Sequence, residues 1–129
     1  MNGRYLLDTN IVIALFREDE TIQSHLADAL EVSVPVVVLG ELYFGAAKSG
    51  RTTENLARVS EFASSNRILP CNVETAKRYG QLKQDLRAKG RLIPENDLWV
   101  AATALQYGLT LVSRDGHFQE IPNLHLESW

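Results

Sequence analysis

Short apolar, β-branched stretches alternate with longer stretches of helical periodicity along the whole chain, and this alternation leaves few ways to fold it. Arg4 to Leu7 reads as a short buried strand. Ile11 to Leu30 reads as a helix, with Ile11, Leu15, Ile22, Leu26 and Leu30 at near-helical spacing and Asn10 placed as its cap. The run VSVPVVVLGEL begins as a β-branched strand and passes after Pro35 into a helix directed towards Ser49. TENLARVSEFASS sets Leu56, Val59, Phe62 and Ala63 on one face, and ETAKRYGQLKQDLRAKG sets out Ala76, Tyr79, Leu82 and Leu86 before Gly90 ends it. RILPCNV, between them, has room for a strand. ENDLWVAATALQYG carries the Asn and Asp of a helix start and the Gly of a helix stop, LTLVSRD is a short strand ending in a carboxylate, and LHLESW reads as an edge strand. A parallel neighbour is reached only by a crossover, usually helical, so the pattern implies an α/β fold around a mainly parallel sheet. At 129 residues we expect one domain, 1–129, able to bury a core without disulfide or metal staples.

Four acids interrupt this pattern. In parallel sheets the carboxyl ends of the strands line the ligand crevice, and Asp8 and Asp115 each stand at the end of an expected strand. Asp8 breaks the apolar run YLLDTNIVIALF and Glu41 breaks VVVLGELYFG. Neither run holds a Lys or Arg to pair with the charge, and an unpaired buried carboxylate is expensive unless it coordinates a cation. Asp97 opens a helix whose next residues look buried, and taken alone it serves equally well as a first-turn carboxylate favoured by the helix dipole. Asp115 in SRDGH is equally at home as a turn residue. Four carboxylates brought together would repel one another unless a divalent ion neutralised them, and oxygen-only ligands select Mg²⁺ or Mn²⁺ over zinc or copper. Such sites handle phosphates, because a bound ion activates water and steadies the leaving oxygen without a nucleophilic side chain.

Charge and composition exclude several classes. The net charge of −3 argues against a general polycation. Between Lys48 and Arg91, however, ten Lys or Arg face four acids, a local sum of +6 that leaves −9 for the remainder. Solvated helix faces account for this basic segment, 48–91, most simply; a region that grips phosphates beside one that holds metal is the alternative. No apolar run approaches the ~20 residues of a membrane span. The first apolar run is split by Asp8 and Asn10 and lacks a basic leader, so we expect no signal peptide and a cytoplasmic protein. The single cysteine, Cys71, offers neither an internal disulfide nor a zinc site and is expected in the core.

The stretches LLDTNIVIALF, VVVLGELYFGA and ENDLWVAATALQYGLTLVSRD, with the ending HFQEIPNLHLESW, resemble the PIN domain, and within it the VapC type of ribonuclease toxin from toxin-antitoxin pairs. The resemblance covers nearly the whole chain and lies in the order and spacing of the acids; the middle, from about Lys48 to Arg91, matches in helical character only. It implies a PIN-like three-layer fold with a central sheet flanked by helices, and a Mg²⁺-dependent endoribonuclease, Mn²⁺ able to substitute, acting on structured cellular RNA. It further implies a co-expressed antitoxin that silences the enzyme, a homodimer, no membrane, and DNA contact only through the antitoxin. Carried over residue by residue, Asp8 and Asp97 become the direct metal ligands and Glu41 and Asp115 complete the acidic pocket. Thr9 and Asn10 fall where the family has small polar residues supporting the first acid, and Ser113 falls at a position usually held by Thr or Ser.

Other conspicuous residues weigh less. His25, His117 and His125 are scattered and lack the Ser or Cys context of a triad, so His117, though near Asp115, is expected at the surface. Trp99 and Trp129 are expected to pack rather than to stack on bases. Glu95, two residues from Asp97, should face elsewhere on its helix. Two other function classes remain open. One is a phosphatase of the haloacid dehalogenase type, disfavoured because the position two residues after Asp8 holds Asn10 where that signature needs a second acid. The other is a non-catalytic PIN-like protein-binding module, against which the retention of all four acids argues.

Overall fold

The computed structural model describes residues 3–129. Five strands form one sheet: β1 (Arg4–Leu7), β2 (Glu31–Pro35), β3 (Arg67–Leu69), β4 (Thr110–Val112) and β5 (Leu126–Glu127). They are ordered β3-β2-β1-β4-β5, and every pairing is parallel. Helices flank the sheet: α1 (Thr9–Phe16), α2 (Glu20–Ala27), α3 (Val36–Ala47), α4 (Thr52–Ser65), α5 (Val73–Ala88) and α6 (Glu95–Tyr107), with a 3-10 turn at Gly116–Glu120 before β5. The chain steps outward from β1 to β2 and β3, then returns to lay β4 on the other side of β1. The strand order therefore reverses between β1 and β4, and the crevice of a parallel sheet opens beyond the carboxyl ends of that pair, at Asp8 and Ser113.

Residues buried on both sides make the central strands nearly continuous in apolar character. Leu6, Leu7, Val34, Leu111 and Val112 are shielded from solvent, covered by Ile11, Val12, Val38, Leu98, Val100 and Ala101 of the helices. Truncating one of these leucines to Ala costs about 2–5 kcal/mol. An Asn72–Thr75 capping box opens α5, and Gly108, at φ 64, takes the left-handed turn that ends α6 and redirects the chain into β4.

Three local expectations are corrected. The helix expected over Ile11 to Leu30 is two helices, because Glu18 adopts a left-handed backbone (φ 60) and Asp19 caps a new start, its carboxylate accepting from the Thr21 and Ile22 amides. Leu30, 80% exposed, belongs to neither helix. The cap of α1 is Asp8, whose side chain accepts from the Thr9 amide, while Asn10 lies inside the helix and is free to reach across to β4. Cys71 is exposed and is no core residue. RILPCNV does hold a strand, of three residues. The tryptophans pack as expected: Trp129 is buried edge-on to Tyr5 and stacked on His25, and Trp99 stacks on Tyr79 at 4.0 Å. Among the described residues no helix is long and apolar enough to cross a membrane.

Candidate active site

Asp8 anchors the site. Its main-chain N–H donates to Val112 O, which continues the β1–β4 ladder one step past the strand ends, and its side chain turns into the crevice at 4% exposure. Three donors serve the carboxylate: the Thr9 amide to Oδ1 at 2.9 Å, and the Ser113 hydroxyl at 2.8 Å and Asn10 Nδ2 at 3.3 Å to Oδ2. None carries a formal charge. Burial pushes the Asp8 carboxyl above its ordinary range, the Ser113 hydrogen bond pulls it partly back, and the Asp115 charge raises it again.

Ser113 and Asn10 are the joints of the site. The Ser113 hydroxyl donates to Asp8 and accepts from Asn10 Nδ2 (3.2 Å) and from the Asp115 amide (3.0 Å), which uses the full capacity of a hydroxyl. Asn10 Oδ1 accepts from the Arg114 amide at 3.0 Å. Through these bonds the start of α1 and the loop after β4 are clamped together around Asp8. Thr9, from the same turn, donates its hydroxyl to Glu41 Oε1 at 3.2 Å and so ties in the acid of α3.

Asp97 enters from the first turn of α6 and Asp115 from the cap of the 3-10 turn, where its Oδ1 accepts from the His117 amide at 2.9 Å. The structure thus gathers Asp8, Glu41, Asp97 and Asp115 at one end of the sheet, with Thr9, Asn10 and Ser113 supporting them. Burial raises the Glu41 and Asp97 carboxyls as well. For Glu41 the Thr9 hydrogen bond offsets part of this and the charges of Asp8 and Asp97 add to it; for Asp97 the His117 hydrogen bond offsets part and the charges of Asp8 and Asp115 add. Among the described residues no Lys or Arg forms an ion pair with any of the four.

The tightest grouping of metal-capable side chains among the described residues is Asp97, Asp115 and His117, with one ligand atom from each within 4.8 Å of the others. Asp8 is connected to this group through Ser113. His117 is exposed, as expected, but it also meets two of the acids, which the sequence did not show: its Nδ1 lies 3.2 Å from Asp97 Oδ2 and 3.0 Å from Asp115 Oδ1. The signal was the spacing, since Asp-Gly-His opening a tight turn folds the third residue back beside the first. Glu95 faces away from the acids, as expected, and is bonded to Lys83 and Tyr79.

The donor set fits a divalent cation. Mutually repelling, partly desolvated carboxylates, with no Lys or Arg paired to them among the described residues, are stabilised by a 2+ charge at their centre, and three or four oxygens suit a hard ion. The N-termini of α1 and α6 converge on the same place and add positive potential for anionic oxygens.

Residues 5–124 match the PIN domain profile. The chain belongs to the PIN-domain family. Within it, the chain is 36% identical over 129 residues to Ribonuclease VapC2 of Haemophilus influenzae, covering 98% of both chains. It is 30% identical to the tRNA(fMet)-specific endonuclease VapC of Salmonella typhimurium, again over 98% of both. A crystal structure of VapBC2 from Rickettsia felis bound to a promoter DNA fragment contains a chain that superposes with a TM-score of 0.89 at 32% identity, covering 97% of this chain and 98% of that one. This PIN domain is thus a VapC-type nuclease, with the all-parallel sheet and flanking helices expected of the family.

Two further surfaces adjoin the site. A groove of about 320 Å³ between α1, α3 and α4 is lined by Ile13, Phe16, Leu42 and Val59, with Glu41 at its edge. On the other side, Lys83, Arg87 and Arg91 line a cleft of about 300 Å³, and Arg91, Leu92 and Ile93 continue it into a second cleft that reaches His117.

Proposed function

We propose that this PIN domain is the toxin of a toxin-antitoxin pair, a divalent-metal-dependent endoribonuclease that hydrolyses phosphodiester bonds in structured cellular RNA in the cytoplasm. The observation that carries this reading is the convergence of four carboxylates, three of them raised by burial, with no Lys or Arg paired to them among the described residues. The names of its relatives, ribonucleases and a tRNA endonuclease, agree with it.

In this proposal Asp8 and Asp97 hold the metal, Mg²⁺ with Mn²⁺ able to substitute, while Glu41 and Asp115 complete the pocket and orient water. When bound, the ion supplies an activated water and a counter-charge for the phosphate. Thr9, Asn10 and Ser113 fix the Asp8 and Glu41 carboxylates by the hydrogen bonds described, so that they do not rearrange as charge develops. Lys83, Arg87 and Arg91, along the cleft that leads to His117, provide a path for the RNA backbone.

The antitoxin docks an amphipathic segment into the apolar groove beside Glu41 and places an Arg or Lys among the acids, because a guanidinium satisfies carboxylates bidentately and competes with the metal. The active form is a homodimer. Cleavage of structured RNA by the purified protein, abolished by EDTA and restored by Mg²⁺, is the expected result. Phosphatase activity without RNA cleavage would replace this proposal with the phosphatase reading, and neither activity would leave a protein-binding module.

A further inference from the structure

The four-carboxylate scheme gives His117 no task, yet the fold takes trouble to place it. The 3-10 turn is pinned by Phe118, one of the largest fully buried side chains, and by the His117 amide bonded to Asp115 Oδ1. The imidazole that results stands with Nδ1 3.2 Å from Asp97 Oδ2 and 3.0 Å from Asp115 Oδ1. Neighbouring ligands of an octahedral ion with bonds of about 2.1 Å stand about 3.0 Å apart, √2 times the bond length. Both spacings meet that requirement, and the two carboxylate oxygens and the ring nitrogen share one cluster.

We propose that His117 is a nitrogen ligand of the divalent ion shared with Asp97 and Asp115, and that it shifts the preference of the site from Mg²⁺ towards first-row transition ions such as Mn²⁺. The inference rests on the metal-nuclease reading, adds the donor type, and moves Asp115 from the pocket wall into the ligand set beside Asp97. Mg²⁺ binds through oxygen and keeps several waters, whereas imidazole nitrogen is a better ligand for transition ions. The competing arrangement, an imidazole that hydrogen-bonds the two carboxylates and never touches the ion, would leave the site all-oxygen.

Electron spin echo spectroscopy of the full chain loaded with Mn²⁺ separates the two. The wild-type protein should show ¹⁴N modulation on the Mn²⁺ signal. His117→Ala should lose it, with Mn²⁺ affinity weakened at least about tenfold and Mg²⁺ affinity changed much less, so that the ratio of the two falls. The side chain is 51% exposed, so the variant keeps the fold. Mn²⁺ bound without nitrogen modulation, or an affinity ratio unchanged by the substitution, would overturn the assignment of His117 and leave the acidic metal site standing. Failure of the wild-type protein to bind either ion would instead overturn the metal-nuclease reading beneath it.

Discussion

Glu95 and Asp97 stand two residues apart in the first turn of α6, in opposite electrostatic surroundings. Glu95 is exposed, hydrogen-bonded by Lys83 and by the Tyr79 hydroxyl, and the Lys83 hydrogen bond holds its carboxyl below the ordinary range. Asp97 is half-buried, faces Asp8 and Asp115, and among the described residues its carboxylate is partnered by His117 alone; burial drives its carboxyl upward. The first acid is neutralised by the protein itself. The second is left for something else to neutralise, and that difference, rather than the presence of an acid at a helix start, marks a metal site.

Substitutions break this comparison most sharply. Asp97→Asn should reduce RNA cleavage by at least about 10³-fold, because a metal ion supplies several kcal/mol of transition-state stabilisation that depends on its ligands. Glu95→Gln, which undoes a solvent-screened pair, should leave cleavage within about threefold of wild type. Equal losses in the two variants, read from initial rates on one RNA substrate, would show that the contrast between these acids has no functional meaning.

Removing charge from the cluster should also stabilise the metal-free fold. Glu41→Gln relieves repulsion while its amide oxygen still accepts from the Thr9 hydroxyl, so the melting temperature in EDTA should rise by a few degrees, about 1 kcal/mol in a domain of this size. A fall of similar size would mean that the Glu41 charge is itself stabilising without metal.

Acidity acts in the same direction. A carboxyl whose folded value is raised binds its proton more tightly in the folded than in the unfolded chain. Its contribution to stability is therefore fully present below the unfolded value and is lost as pH rises through the folded one. For Asp8, Asp97 and Glu41 that window begins at the ordinary values of 3.8 and 4.5 and extends upward. Glu95 and Asp19, held charged by hydrogen bonds from Lys83 and Arg114, titrate in the opposite sense, but at the surface, where water screens them. Metal-free protein should accordingly melt higher as pH falls from neutral towards this window, and Asp8→Asn should flatten the rise. A steady fall over the same range would contradict the raised carboxyls.

The smallest effect concerns the basic cleft. Neutralising Arg87 should lower the salt dependence of RNA binding by about one unit of slope and leave metal affinity unchanged, if one phosphate contact is lost. An unchanged slope would return Arg87 to the solvated helix face.

The contrast between acid and basic regions also separates what could be read from the sequence. Asp8 and Glu41 were visible because they break apolar runs, a local signal, and Asp115 because it ends a strand. The parallel sheet was visible in the alternation of periodicities. The break at Glu18 was hidden because the apolar spacing of Ile11, Leu15, Ile22 and Leu26 continues across it, and only the Asp19 cap betrays a second helix. Asn10 looked like a cap because it is polar at a helix start; besides Asp8, two residues away, it bonds Ser113 and the Arg114 amide, more than a hundred residues along the chain, and those two bonds leave no local pattern. The acid contacts of His117 were missed for a similar reason, since half of its environment, Asp97, comes from another element. Sequence shows which groups are costly to bury, and the fold decides which of them meet.

Titration of Mg²⁺ into EDTA-stripped protein, followed by the melting temperature of wild type and Asp97→Asn side by side, tests the central claim most directly. The unneutralised carboxylates predict that wild type starts the lower of the two and rises with Mg²⁺, while the variant starts higher and does not respond. Curves that rise equally, or a wild-type protein indifferent to the ion, would contradict a divalent-cation site built on Asp97.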